Sequence, residues 1–162
     1  MSRLAVLYGI TNQELEDLKK QDEKDIYEYL LENIEEKYFD TSRACNLDKA
    51  WEGIQLCING GKWSETSNVP DNIVFGGEIL LNDGYIITLK NSNEIKKIIT
   101  YLENYQIDDI IKSNFSKIDE NEYSLEKDED NLEFLLEWSQ EILEFYKNAS
   151  KENLNVVFSV EL

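Results

Sequence analysis

The chain has 162 residues, 41% of them hydrophobic, which fits one globular domain over 1–162 with a core of its own. Its 34 Asp and Glu outnumber 16 Lys and Arg, giving a formal charge of −18, a field that repels nucleic-acid phosphates and anionic membranes but suits a basic protein partner. Histidine is absent, which removes the commonest general base near neutral pH, the commonest zinc ligand and the Ser-His and Cys-His nucleophile systems.

Residues 4–10 form a short, almost continuous apolar run that suits a strand covered on both faces. Thr11 followed by Glu14 reads as a capping box opening a helix with Leu15 and Leu18. Helical periodicity weakens over 19–24 and resumes with Ile26, Leu30 and Ile34, so one helix with a soft middle and two short helices both fit. Asn46 is placed to cap a helix whose stripe is Leu47, Trp51, Ile54 and Ile58, ended by Asn59-Gly60-Gly61. Residues 61–72 read as an irregular loop containing the only proline, Pro70. Ile73-Val74-Phe75, Gly76-Gly77 and Ile79-Leu80-Leu81 fit either one bent strand or a short strand and a turn. Asn82-Asp83-Gly84 is a turn signal before a strand over 85–89.

Asn91 with Glu94 marks a helix start, with Ile95, Ile98, Ile99 and Leu102 as its apolar face. A short helix holds Ile107, Ile110, Ile111 and Phe115, and one long helix carries Leu135, Trp138, Ile142, Phe145 and Ala149. Leu154, Val156, Phe158 and Val160 alternate along a terminal strand, with Val157 apolar on its other face. This order predicts an α+β fold: a small, mostly antiparallel sheet with helices packed around it, the two end strands paired at its centre. The opening Met1-Ser2-Arg3 has no signal-peptide pattern, and no apolar run approaches about 18 residues, so the chain reads as cytoplasmic.

The acidic tract over 119–144 stands out, with eleven carboxylates, Lys127 as its only base and a net charge of −10. Its helical part aligns Glu133, Glu137, Glu141 and Glu144 on one face. The candidate partner-binding residues are Asp119, Glu120, Glu122, Asp128, Glu129 and Asp130, together with Trp63 as an aromatic anchor in a polar loop. A solvated acidic surface, and a Trp63 packed back onto the domain, are the alternatives. Asp128, Glu129, Asp130 and Glu133 lack the glycine and spacing of a calcium loop. Gly60-Gly61-Lys62 and Gly76-Gly77 match no phosphate-binding motif. Cys45 and Cys57 lie outside any C-x-x-C pattern and read as buried free thiols. The residues therefore imply no catalytic group, metal or cofactor.

The segment Leu47-Asp48-Lys49-Ala50-Trp51-Glu52-Gly53-Ile54, ending at Asn59-Gly60, resembles the signature helix of the bacterial YfbM-like family, a domain of unknown function. Val74-Phe75-Gly76-Gly77-Glu78 is similar to that family's later F-x-x-G-G-E region, and residues 130–136 to the acidic start of its last long helix. The resemblance spans nearly the whole chain. It departs where many relatives have W-H-x-L-H and this chain has Trp51-Glu52-Gly53-Ile54-Gln55, and where relatives carry an Arg near the strand at 85–89. It implies an α+β domain and brings no activity with it.

The expected function is that of an acidic binding protein for a basic partner, most concretely an immunity protein neutralising a bacterial toxin. The alternative is an enzyme or small-molecule binder using a pocket near Lys49 and Glu78.

Overall fold

The apolar runs at the two ends of the chain pair with each other in the middle of the sheet. The computed structural model describes residues 4–64 and 68–162; Met1 to Arg3, and 65–67 of the expected loop, lie outside the described residues. Strand β1 (Ala5–Ile10) runs antiparallel to β5 (Asn155–Glu161), with Leu7 opposite Phe158. Strands β2 (Ala44–Asp48), β3 (Glu78–Asn82) and β4 (Tyr85–Lys90) complete an antiparallel sheet in the order β2-β1-β5-β4-β3.

Helices cover both faces, which is why β1 and β5 are buried along almost their whole length. One face collects Leu7, Leu47, Phe158 and Val160 with the helices that follow β2 and β4. The other collects Val6, Tyr8, Ile10, Ile87 and Val157 with the helices between β1 and β2. The alternation of side chains along each strand assigns these residues to their faces.

On that second face, α1 (Asn12–Lys19) has the expected capping box: the Glu14 N–H donates to Thr11 Oγ1 (3.1 Å), and the Thr11 N–H to Glu14 Oε1 (2.9 Å). Glu14 also accepts from Arg43 (2.7 Å) and the Tyr38 hydroxyl (2.6 Å). Burial pushes this carboxyl up, but the Thr11 N–H, Tyr38 and Arg43 outweigh it and hold it below its ordinary value. The weak periodicity at 19–24 is a true break. A second helical stretch runs through α2 (Ile26–Leu30), a π turn (Leu31–Glu35) and α3 (Glu36–Tyr38). The Tyr8 hydroxyl, buried under the sheet, donates to Glu35 in the π turn (2.9 Å).

Three sequence expectations change. Asn46 does not cap a helix: it and Leu47 lie in β2, and α4 (Trp51–Ile58) begins three residues after Asp48, which has φ 48°. The four-residue spacing of Leu47 and Trp51 coincided with a helical stripe, but Cys45 and Leu47 point inward with the two-residue period of a strand. Leu47 still reaches the same core as Trp51, Ile54 and Ile58. Ile73-Val74-Phe75 is not a strand but a turn following a short 3-10 helix (Val69–Asn72).

The expected long terminal helix is two, α7 (Glu129–Ser139) and α8 (Ile142–Lys151). The break at Gln140 and Glu141 interrupts the acidic stripe and leaves Trp138 only half-buried against Phe134. Asn91 caps α5 (Ser92–Asn104) as expected (2.9 Å to the Glu94 N–H), and α6 (Ile107–Asn114) follows. Gly60, with φ 77°, ends the helical segment begun by Trp51. No helix among the described residues is long and apolar enough to cross a membrane.

Trp51 is 4% exposed and touches the rings of Trp63, Phe75 and Phe158. Trp51→Ala is expected to destabilise the fold by about 3–5 kcal/mol, as a large-to-small core substitution. Urea unfolding checks this; an unchanged midpoint would mean the indole is peripheral.

Candidate functional site

Residues 69–77 lie against the helix-rich face of the sheet, and their backbone polar groups must find partners there. Buried side chains from three elements provide them. Gln55 of α4 accepts from the Phe75 N–H (3.0 Å) and donates to the Asp71 carbonyl (3.4 Å). Three successive carbonyls are then taken: Ile73 by the Tyr146 hydroxyl of α8 (2.5 Å), Val74 by Lys90 Nζ (2.5 Å) and Phe75 by Thr88 Oγ1 (2.8 Å). Lys90 Nζ also donates to Thr88 Oγ1 (3.0 Å). Gln55, Thr88, Lys90 and Tyr146 are all at most 2% exposed.

The strand period explains the unusual member of this group. Ile86, Thr88 and Lys90 occupy alternate positions of β4, so Lys90 points into the same face as Ile86. Its Nζ lies 5.2 Å from the centroid of the Phe158 ring. Burial pushes its amine well below the ordinary lysine value, with Glu94 acting in the opposite sense. Burial likewise raises the Tyr146 phenol, which keeps it a donor.

The anchored segment forms one wall of a cleft of about 740 Å³. Gln55, Asp71 and Thr88 contribute buried polar groups to it, Phe75 and Ile79 apolar ones, and Glu94 and Lys97 of α5 charges. The Ser64 hydroxyl donates to Asp71 Oδ2 (3.3 Å). Gly77 takes φ 125°, and a Cβ there would stand 2.3 Å from the Leu89 carbonyl oxygen, so only glycine lets the segment turn this close to β4.

A second cleft, of about 360 Å³, lies on the acidic side, lined by Trp51, Trp63, Glu52, Glu122 and Lys49 among others. Here two of the residues singled out from the sequence meet: Glu122 accepts from the Trp63 N–H (3.0 Å) across 59 positions of chain. Trp63 is half-buried, its ring against Trp51 (6.0 Å between centroids) and Phe75 (5.6 Å). It thus packs on the domain and lines a cleft at the same time. Glu52 accepts from Ser124 through both oxygens (2.9 and 2.8 Å), fixing the far wall.

The other acidic candidates are exposed and divide by local role. The Asp119 carboxylate accepts from the Asn121 N–H (2.9 Å), while its own N–H donates to the Gly61 carbonyl (3.0 Å). Asp128 caps α7 through the Asn131 N–H (2.8 Å), and Glu129 and Asp130 sit in that first turn, where the helix dipole favours them. Glu120 is exposed. Asp119 and Asp128 are therefore structural acids, which a count of charges does not reveal.

Lys49 and Glu78, expected around one pocket, line different clefts. Glu78 pairs with Lys19 (3.3 Å). Cys45 and Cys57 are buried free thiols, and burial pushes each up to about 12. Among the described residues no group of three or more Cys, Asp or Glu is placed to hold a metal ion.

Lys90→Met isolates the buried amine. The fold holds this amine's proton less tightly than the unfolded chain does. Between the folded value and about 10.4 the unfolded state binds more protons, so this group makes stability rise with pH. The thiols act with the opposite sign: from about pH 8.5 the unfolded chain releases protons that the fold retains, and stability falls. Subtracting the Met variant cancels that limb. In urea unfolding, wild-type stability minus that of Lys90→Met is expected to be greater at about pH 10 than at neutral pH. A flat difference would mean the amine titrates alike in both states.

The comparisons with known proteins agree with this architecture. The crystal structure of YfbM from Escherichia coli, a protein of unknown function, superposes with a TM-score of 0.66 at 14% identity, over 98% of this chain and 99% of that one. At that identity the likeness is one of fold. No curated protein matches the sequence. The family model for DUF1877, a domain of unknown function, matches residues 1–159, and the chain belongs to that family.

Proposed function

We propose that this chain is a binding protein for a basic protein partner, in its most concrete form an immunity protein that occludes a bacterial toxin. The observation that carries the reading is the meeting of Trp63 and Glu122 at one cleft, bordered by the acidic segment 119–130. An aromatic surface beside fixed carboxylates suits a Lys or Arg side chain, through cation–π contact and ion pairing together. The remaining exposed acids act at longer range, speeding encounter more than holding the complex. This reading assigns the chain no catalytic step.

The test reverses Glu120, Glu122, Glu129 and Asp130 to Lys together, keeping Asp119 and Asp128 because they hold the turn and the α7 cap. Association with the product of the adjacent gene is measured at two salt concentrations, with circular dichroism as the check on folding. The wild type is expected to bind more slowly as salt rises, since screening shortens to about 8 Å at physiological ionic strength. The variant is expected to lose both affinity and salt dependence. Unchanged binding by a folded variant would make the acidic segment a solvated surface and refute the reading.

A further inference from the structure

The sequence sets Asn or Asp directly before glycine at Asn59-Gly60 and at Asp83-Gly84. In such a pair the glycine nitrogen can attack the side-chain carbonyl carbon, because no Cβ obstructs the approach. An amide reacts more readily than a carboxyl group, so the sequence alone would put this chemistry at Asn59. The structure reverses that order.

Asn59 closes α4. Its N–H donates to the Gln55 carbonyl (3.2 Å), the Gly60 N–H to the Cys57 carbonyl (3.2 Å) and the Gly61 N–H to the Leu56 carbonyl (2.8 Å). The Asn59 side chain is half-buried, with its Nδ2 shut off from solvent. The attacking nitrogen and the group it would attack are both held in place. The hairpin joining β3 to β4 is built otherwise. Asn82 pairs with Ile86, so Asp83, Gly84 and Tyr85 make the turn. Asp83 and Gly84 are exposed, and Gly84 has φ 72° with open space where a Cβ would stand. Among the described residues the Asp83 carboxylate makes no salt bridge or hydrogen bond, and the Gly84 N–H donates to no acceptor.

We propose that Asp83-Gly84 is a site of spontaneous isoaspartate formation in the folded protein, and that the change loosens β3. The Gly84 nitrogen bonds to Asp83 Cγ, and the carboxyl hydroxyl leaves as water with the amide hydrogen, closing a succinimide ring. Water then adds back. Opening at the side-chain carbonyl restores Asp83. Opening at the main-chain carbonyl breaks its bond to the Gly84 nitrogen, and the backbone now runs through Cβ and Cγ. No oxidant or cofactor enters, and the mass is unchanged. The backbone gains an atom inside a turn closed by Asn82 and Ile86. β3 is an edge strand paired to β4, so its pairing is what the longer turn disturbs. Ile79 of β3 lines the larger cleft, and that wall loosens with the strand.

The experiment incubates the folded chain at neutral pH and physiological temperature, with peptide mapping of both sites. Asp-N peptidase cleaves before Asp and not before isoaspartate, so loss of cleavage reads position 83. In Asp83→Asn, a residue such turns accept, both sites are Asn-Gly and only the fold distinguishes them. Position 83 of the folded variant is expected to deamidate at least about tenfold faster than Asn59, which waits on opening of its helix end. In urea the two rates are expected to converge. Isomerised wild type is expected to exchange the Ile79 and Leu81 amides faster, while Leu7 and Val157 keep their protection. A wild-type chain that keeps Asp83 intact overturns the proposal. So do equal rates at both sites in the folded variant, or unaltered β3 exchange in the isomerised protein.

Discussion

The backbone of residues 69–77 has to be satisfied inside the domain, and the arrangement around it follows from that requirement. Its carbonyls at 73, 74 and 75 accept from Tyr146, Lys90 and Thr88, and its Phe75 N–H donates to Gln55. These partners come from α4, β4 and α8, so the segment ties three elements together at one place. Each side chain would be costly to bury alone, and each carbonyl would be costly to leave unpaired. Paired, they form a rigid polar centre within the larger core, with the larger cleft on one side of it. Lys90 illustrates the balance: burial pushes its amine down, which lowers the cost of keeping a lysine there, while its hydrogens still serve two acceptors.

The same centre relates the two clefts. Phe75, held by Gln55 and Thr88, stacks on Trp51 and meets Trp63 edge-on, and those two indoles line the acidic cleft. The aromatic cluster is thus a shared partition between the two depressions. On the acidic side, Glu122 and Glu52 are fixed by hydrogen bonds from Trp63 and Ser124, while the chain's −18 charge supplies a long-range field. Fixed carboxylates beside aromatic rings suit one cationic side chain, and the wider field suits a basic face. Among the described residues the other cleft is lined by three acids, Asp71, Glu78 and Glu94, and one base, Lys97, beside the apolar Phe75 and Ile79.

Local signals in the sequence were legible where short-range chemistry decides the structure. Thr11 with Glu14, Asn91 with Glu94 and the Gly60 stop all act within a few residues, and each appears as expected. Pairing of the end strands was also legible, because apolar runs at both ends need cover on both faces. Leu47 was misplaced because a four-residue spacing to Trp51 arises equally from a strand followed by a helix. The break at Gln140 carries neither glycine nor proline to mark it. The polar centre was missed because Gln55, Lys90 and Tyr146 are far apart in sequence and ordinary singly. One signal existed: Lys90 continues the inward period of Ile86 and Thr88, which places a lysine where a core residue belongs. Trp63 and Glu122 were both named from the sequence, but only the fold brings them together.

The most direct test of this account is amide hydrogen exchange at Phe75 and Gly76 in the wild type and in Gln55→Ala. The Phe75 N–H donates to Gln55, and the Gly76 N–H closes the turn onto the Asp71 carbonyl (2.7 Å) that Gln55 also holds. If the segment is fixed by its buried partners, both amides are protected in the wild type. In the variant they exchange about tenfold faster or more, while Leu7 and Val157 in the central strands keep their protection. Exchange of Phe75 at an open-loop rate in the wild type, or protection that Gln55→Ala leaves intact, would contradict the central place given to this segment.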